Sequence, residues 1–298
     1  MKTPVFTGAG VAIITPFKDG AVNYDKFAEL LDMQIAGGTK AMIVCGTTGE
    51  SATLSLEEHA EAVDFAVKHI AGRATVIAGS GSNDTMAALF LSQSAEKSGA
   101  DALLMVTPYY NKATQHGLIK HYTYVADRVN IPIILYNIPS RTGVGFTADT
   151  YKELSKHPLI NGVKEASGDM SLIVRTRALC GDDLYFWSGN DDQTIPIMSV
   201  GGKGSISVLS NFLPHVVSDI CDLCLAGDFK AAMEIQNKYT ELMDAMFIEV
   251  NPTPVKIAMN LLGMDVGELR MPLCDMLPQN LEKLKSIMRA NGLKLVCD

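Results

Sequence analysis

The sequence predicts an α/β chain folded as a (β/α)8 barrel, the TIM-barrel architecture, with a C-terminal helical extension. Three observations predict it. Eight short β-rich runs alternate with helical segments. Most of the runs are apolar throughout, as in parallel strands covered on both faces. Beyond about residue 225 the β-rich runs stop and only helical patterns follow.

The first run is VAIIT at 11–15. Phe27, Leu30, Leu31 and Ile35 then fall at i, i+3, i+4 and i+8, and Gly37-Gly38 closes that helix. AMIVC at 41–45 is the second run. Ser55 and Glu58 form a capping-box pair ahead of a helix reaching about His69. TVIAG at 75–79 leads to a helix over about 84–98, stopped by Gly99. ALLMV at 102–106, IPIILY at 131–136, LINGVK at 159–164, LYFWS at 184–188 and KGSIS at 203–207 complete the eight.

Repeated strand–helix alternation indicates a parallel sheet with helices outside. Eight units favour closure into a barrel over an open doubly wound sheet. Neither GSGSND at 79–84 nor GGKGS at 201–205 is a nucleotide-binding glycine loop. Residues 1–224 are read as the barrel. Residues 225–298 are read as the extension, with helical patterns at 230–247, 254–262 and 281–290. No Gly/Ser linker precedes them, so they are expected to pack on the barrel rather than form a separate domain.

Composition narrows the function. The 298 residues are 47% hydrophobic and 19% charged, enough for a large core and too few charges for disorder. The net charge of −8, with no Lys/Arg block, argues against nucleic-acid binding. No apolar run approaches membrane-helix length, and MKTPVFTGAG lacks the apolar stretch of a signal peptide. A cytoplasmic location is expected. Six cysteines in so long a chain do not make a disulfide scaffold, and Cys45 and Cys180 read as small core hydrophobes. Cys221 and Cys224 lie in a helical pattern with no second pair, and no paired-histidine motif occurs. No metal is expected.

Barrel enzymes react at the C-terminal ends of their strands. Those ends carry Gly46-Thr47-Thr48-Gly49-Glu50, Thr107-Pro108-Tyr109-Tyr110-Asn111, Tyr136 through Gly143, Lys164 with Glu165-Ala166-Ser167-Gly168, and Ser188 through Asp192. Lys164 ends an apolar run. If its amine lies inside the barrel mouth, desolvation disfavours the ammonium, and a free amine attacks a ketone to form an imine. Taken alone, such a lysine more often points into water. Tyr110, Tyr136 and Thr47 offer hydroxyls that could pass protons to and from the adduct. Backbone amides of the GTTG turn could hold a carboxylate, and Arg141 could clamp a second one.

The motifs GTTGE at 46–50, TPYYNKATQHG at 107–117, YNIPSRTG at 136–143 and GVKEASGD at 162–169 resemble the pyruvate-dependent class I aldolase superfamily. Within it they most resemble the dihydrodipicolinate synthase (4-hydroxy-tetrahydrodipicolinate synthase) family. The resemblance runs from TGAGVAIITPF to NPTPVK at 251–256 and beyond. It implies that Lys164 captures pyruvate as a Schiff base, with Tyr136, Thr47 and Tyr110 as proton relay, Tyr110 reaching across a tight dimer interface. It implies that Thr47 and Thr48 bind the pyruvate carboxylate and Arg141 that of L-aspartate 4-semialdehyde, with Gly189 and Ile206 lining the pocket. No cofactor is implied. The product would enter diaminopimelate and lysine biosynthesis, and the assembly would be a homotetramer, a dimer of dimers.

Ser51, Ala52, His59, Asn83 and Tyr109 match a lysine-feedback pocket of some relatives. Leu56 and Ala87 stand where lysine-sensitive members carry a His and a Glu, so weak or absent inhibition is expected. Within the superfamily, N-acetylneuraminate lyase and 2-keto-3-deoxygluconate aldolase would share Lys164 and Tyr136. The Thr47-Thr48 pair and Arg141 favour the synthase, because a short acidic aldehyde needs a carboxylate clamp. A non-catalytic binding barrel is the alternative from another class.

Overall fold

A computed structural model describes residues 2–296. Eight parallel strands close into a barrel: β1 (Gly8–Ala12), β4 (Ala41–Val44), β5 (Thr75–Gly79), β6 (Ala102–Val106), β7 (Ile133–Asn137), β8 (Ile160–Glu165), β9 (Tyr185–Ser188) and β10 (Gly204–Ser207), with β1 pairing β10 and β4. A small antiparallel hairpin, β2 (Phe17–Lys18) and β3 (Ala21–Val22), follows the first strand. Helices α1 (Tyr24–Ala36), α2 (Leu56–Ile70), α3 (Thr85–Ser98), α4 (Gln115–Ala126), α5 (Pro139–Thr142), α6 (Ala148–Leu154), α7 (Met170–Cys180), α8 (Thr194–Ser199) and α9 (Pro214–Leu225) connect the strands and follow the last one. Helices α10 (Phe229–Ala245), α11 (Thr253–Leu261) and α12 (Pro278–Ala290) form the extension. Among the described residues no helix is long and apolar enough to cross a membrane.

The period of two along each strand sorts side chains between two cores. Ile43, Ile77, Leu104, Ile134, Tyr136, Trp187 and Ile206 point into the barrel. Met42, Val76, Leu103, Met105, Leu135, Val163 and Phe186 point outward to the helices. Parity on β8 therefore sends Val163 and Glu165 outward and Lys164 inward. The floor of the barrel is plugged by Phe6 stacked on Trp187, ring centroids 5.1 Å apart. Gly162 makes room for that indole: a Cβ there would lie 2.5 Å from its ring.

Several boundaries differ from the sequence reading. The first strand ends at Ala12, not at residue 15, because the Ile14 N–H turns to the Asn211 side chain. Ile13 and Ile14 are still buried, so hydropathy alone could not show the end of the ladder. Strand β7 begins after Pro132, which has no N–H to donate. The hairpin went unread although its Asp19-Gly20 turn is a legible signal, both residues having φ > 0. The capping box is realised: Ser55 and Glu58 exchange bonds of 3.0 and 3.1 Å. Cys45, Cys180, Cys221 and Cys224 are buried free thiols, and Cys274 is exposed. Cys297 lies outside the described residues.

Candidate active site

Lys164 and Tyr136 occupy paired positions on β8 and β7, and Trp187 flanks Lys164 on β9. The lysine Nζ lies 4.5 Å from the Tyr136 ring centroid. Lys164 is 5% exposed. Burial pushes its pKa down to about 7, with Asp191 opposing and Arg141 assisting. Much of the amine is therefore free near neutrality. Burial pushes the Tyr136 phenol up to about 12, against the pull of Arg141 and of hydrogen bonding to the Thr47 side chain. The phenol stays protonated at neutral pH and can pass a proton rather than merely accept one.

Gly189 follows β9, and its N–H donates to the Glu165 carbonyl at 2.8 Å. A Cβ there would sit 2.8 Å from that of Ala166 and 3.1 Å from Cε of Lys164. The absent side chain is what lets the lysine stand upright. Ile206 on β10 is fully buried on the inner face.

The GTTGE segment folds into a turn that uses the amides of Gly49, Glu50 and Ser51, bonded to the carbonyls of Gly46 and Thr47. The Thr47 and Thr48 amides are not among these bonded donors. Glu50 has φ +56 and is fixed by Lys256 Nζ at 2.7 Å and by the Arg270 N–H at 2.9 Å. Thr48 is buried, and its hydroxyl oxygen accepts from Asn251 Nδ2 at 3.0 Å. Arg141, on the helical turn α5, donates from Nη2 to the Asn251 carbonyl at 3.0 Å.

A cavity of about 460 Å³ opens beside Thr47, Arg141 and Asn251, while Lys164, Tyr136 and Thr48 are not part of its wall. Thr47, Arg141, Thr142 and Asn251 line it, as do Ser51, Ala52, Leu56, His59, Ala87 and Tyr109. Asn83 is exposed and outside the lining. Tyr110 has φ +76 and is 85% exposed, so within one chain it does not join the cluster around Lys164. Among the described residues no group of three or more His, Cys, Asp or Glu is arranged to hold a metal ion.

Three neighbours present in the sequence motifs carry no role in the sequence reading. Glu165 points into the outer apolar layer, yet it is satisfied by both-oxygen contact with Asn137 Nδ2 (2.9 and 3.1 Å), the Tyr151 hydroxyl (3.2 Å) and the Ser167 N–H (2.9 Å). Burial raises its pKa against those donors. Because Asn137 and Glu165 follow Tyr136 and Lys164, they bracket the two strand ends from behind. A charged residue at an outward position of a buried strand was the available signal. Asp191 is buried, with Oδ2 accepting from Val208 and Leu209 N–H groups at 3.0 Å each. Asn251 lies far from any strand end in sequence and carried no such signal.

Residues 5–291 match the family described as Dihydrodipicolinate synthetase family. A 4-hydroxy-tetrahydrodipicolinate synthase of Thermoanaerobacter sp. (strain X514) is 50% identical over 291 residues, covering 97% of this chain and 98% of the relative. One from Clostridium novyi (strain NT) is 50% identical over 95% of this chain and 96% of its own. The crystal structure of dihydrodipicolinate synthase from Aquifex aeolicus superposes with a TM-score of 0.96 at 45% identity, covering 98% of this chain and 100% of that one. A buried lysine beside a tyrosine at paired strand ends and likeness over nearly the whole length agree: the chain belongs to the dihydrodipicolinate synthetase family.

Proposed function

We propose that the chain is a 4-hydroxy-tetrahydrodipicolinate synthase, a lyase of the class I aldolase type that condenses pyruvate with L-aspartate 4-semialdehyde. The carrying observation is the Lys164 amine, buried, shifted to a pKa of about 7, set 4.5 Å from the Tyr136 ring centroid and close enough to Arg141 to feel its charge. The amine adds to C2 of pyruvate, and the resulting carbinolamine loses water to give a cationic imine. Loss of a C3 proton gives the enamine. Its C3 bonds to the aldehyde carbon, whose oxygen takes up a proton. The acceptor's own amine then attacks C2, closes the ring and releases Lys164. Lysine and substrate supply all the electrons, so no cofactor is required.

Roles follow from placement. Tyr136 and Thr47 carry protons to and from the adduct, Thr48 takes the pyruvate carboxylate and Arg141 that of the aldehyde. Gly189 and Ile206 shape the pocket around the imine. Tyr110 serves the site of a neighbouring protomer in a homotetramer built as a dimer of dimers, and its exposure in the single chain supports that assignment. The barrel and the helices beyond residue 225 form one working unit. The setting is cytoplasmic, in the diaminopimelate route to lysine.

Two experiments test this reading. Borohydride should trap a reduced pyruvate adduct on the peptide carrying Lys164; no adduct would overturn it. In a panel, aspartate semialdehyde should be consumed with pyruvate, while N-acetylneuraminate and 2-keto-3-deoxygluconate should not be cleaved. The reverse pattern would reassign the acceptor. Regulation has its own prediction. Ser51, Ala52, His59 and Tyr109 line the cavity, and Leu56 and Ala87 in the same lining provide neither an imidazole nor a carboxylate for a cationic ligand. Lysine should leave initial rates unchanged at sub-millimolar concentrations.

A further inference from the structure

The motif NPTPVK stands apart from the strand ends, yet Asn251 reaches the site twice. Its side-chain Nδ2 donates to Thr48 Oγ1 at 3.0 Å, and its carbonyl accepts from Arg141 Nη2 at 3.0 Å. Asn251 is 5% exposed, and its Oδ1 has no hydrogen-bond partner among the described residues. One residue of the extension thus touches both groups that the proposed function assigns to carboxylates.

The direction of the Thr48 bond matters. A hydroxyl has one proton to give and two lone pairs to accept with. While Oγ1 accepts from an amide, its own proton is free for another acceptor. A carboxylate needs a donor, so a hydroxyl held in this sense is set for an anion before the anion arrives. Arg141 needs its guanidinium aimed as well, and the Asn251 carbonyl anchors one of its nitrogens.

We propose that Asn251 is a positioning residue that fixes the Thr48 hydroxyl as a donor toward the pyruvate carboxylate and, through its carbonyl, aims Arg141. The extension thereby bridges the two carboxylate sites. This rests on the synthase reading above. It also gives NPTPVK two tasks: Asn251 orients the ligand groups, and Lys256, five residues on, locks the turn through Glu50.

Asn251→Asp is the sharpest test, because it is close to isosteric and reverses the bond. A carboxylate accepts only, so it would draw the Thr48 proton to itself and turn a lone pair toward the substrate anion. The KM for pyruvate should rise roughly 10- to 100-fold, while the borohydride-trapping rate at saturating pyruvate stays within about threefold. Asn251→Ala, which only frees the hydroxyl, should raise KM several-fold. Thr48→Val added to Asn251→Asp should raise it little further, since both act through one hydroxyl. A wild-type KM in Asn251→Asp overturns the proposal, as does full multiplication of the two losses. If Asn251→Asp fails to fold, the Asn251→Ala and Thr48→Val cycle decides on the same criterion. Absence of trapping in the wild-type protein would bring down the synthase reading itself. Trapping in the wild type with an unmoved Asn251→Asp brings down only the role of Asn251.

Discussion

An amine held near pKa 7 inside a barrel is a chemical asset and a stability cost, and the two have separable pH signatures. Lys164 has a folded pKa of about 7 against an ordinary value of 10.5. Between these limits the unfolded chain binds a proton that the folded chain does not, so stability rises with pH across the window. Below about 7 the full cost is present. Lys164→Met should therefore raise the melting temperature more at about pH 6 than at about pH 10, read by thermal denaturation at both values. Equal gains would show that the lysine is not desolvated as its burial implies. Activity takes the opposite view of the same proton: kcat/KM for pyruvate should climb with pH through an acid limb near 7 and then level. Lys164 and Tyr136 were legible from their places at the ends of apolar runs. Asp191 was visible in the same census, but nothing in its local sequence tells that its carboxylate caps the amides after β10.

At the scale of elements, the bond between α11 and the GTTGE turn is the most consequential. Lys256 is 1% exposed and donates to Glu50 Oε1, the Thr15 carbonyl and the Glu268 carbonyl at 2.7–3.2 Å. It also lies 4.4 Å from the Phe17 ring centroid. Arg270 adds a fork to Glu58 and holds that carboxyl down at about 2. Removing one partner of a buried pair leaves the other unpaired. Lys256→Met should destabilise by about 3–5 kcal/mol, and Glu50→Gln in that background should recover part of the loss. Urea unfolding of the two variants checks both statements; an additive double variant would show that the pair is not coupled. The strands themselves were readable because a both-face-covered strand is apolar throughout. Their exact ends were not, because Ile13 and Ile14 stay buried after the ladder stops. The NPTPVK contacts to the site and the turn were unreadable for a different reason: they join residues 110 to 206 positions apart, and only closure of the barrel brings them together.

For the whole molecule, the single chain leaves apolar side chains in water beside its site. Met86 and Phe90 on α3 and the Tyr109-Tyr110 pair are all exposed. Tyr110 cannot serve Lys164 of its own chain from such a position, so the site as proposed is completed by a second protomer. This makes a mixing experiment informative. Lys164→Met and Tyr110→Phe should each be impaired alone, the first to background and the second by roughly 10-fold or more. Mixed dimers contain one site with both native residues, so activity should exceed the average of the parents. No gain on mixing, with exchange of protomers verified, would place Tyr110 outside the reaction. Oligomeric contacts of this kind lie beyond what hydropathy can show: an exposed tyrosine reads the same whether it faces solvent or a twin.

The Phe6–Trp187 plug has an optical consequence. Trp187 is the protein's single tryptophan, fully buried, and flanks Lys164 across the β8–β9 ladder. Its emission should be blue-shifted and unmixed with any other indole. When a neutral amine one strand away becomes a cationic imine, a positive charge appears near that ring without any large motion. The chain thus carries an intrinsic gauge of its own chemistry, and adding pyruvate alone should shift or quench it on the timescale of adduct formation.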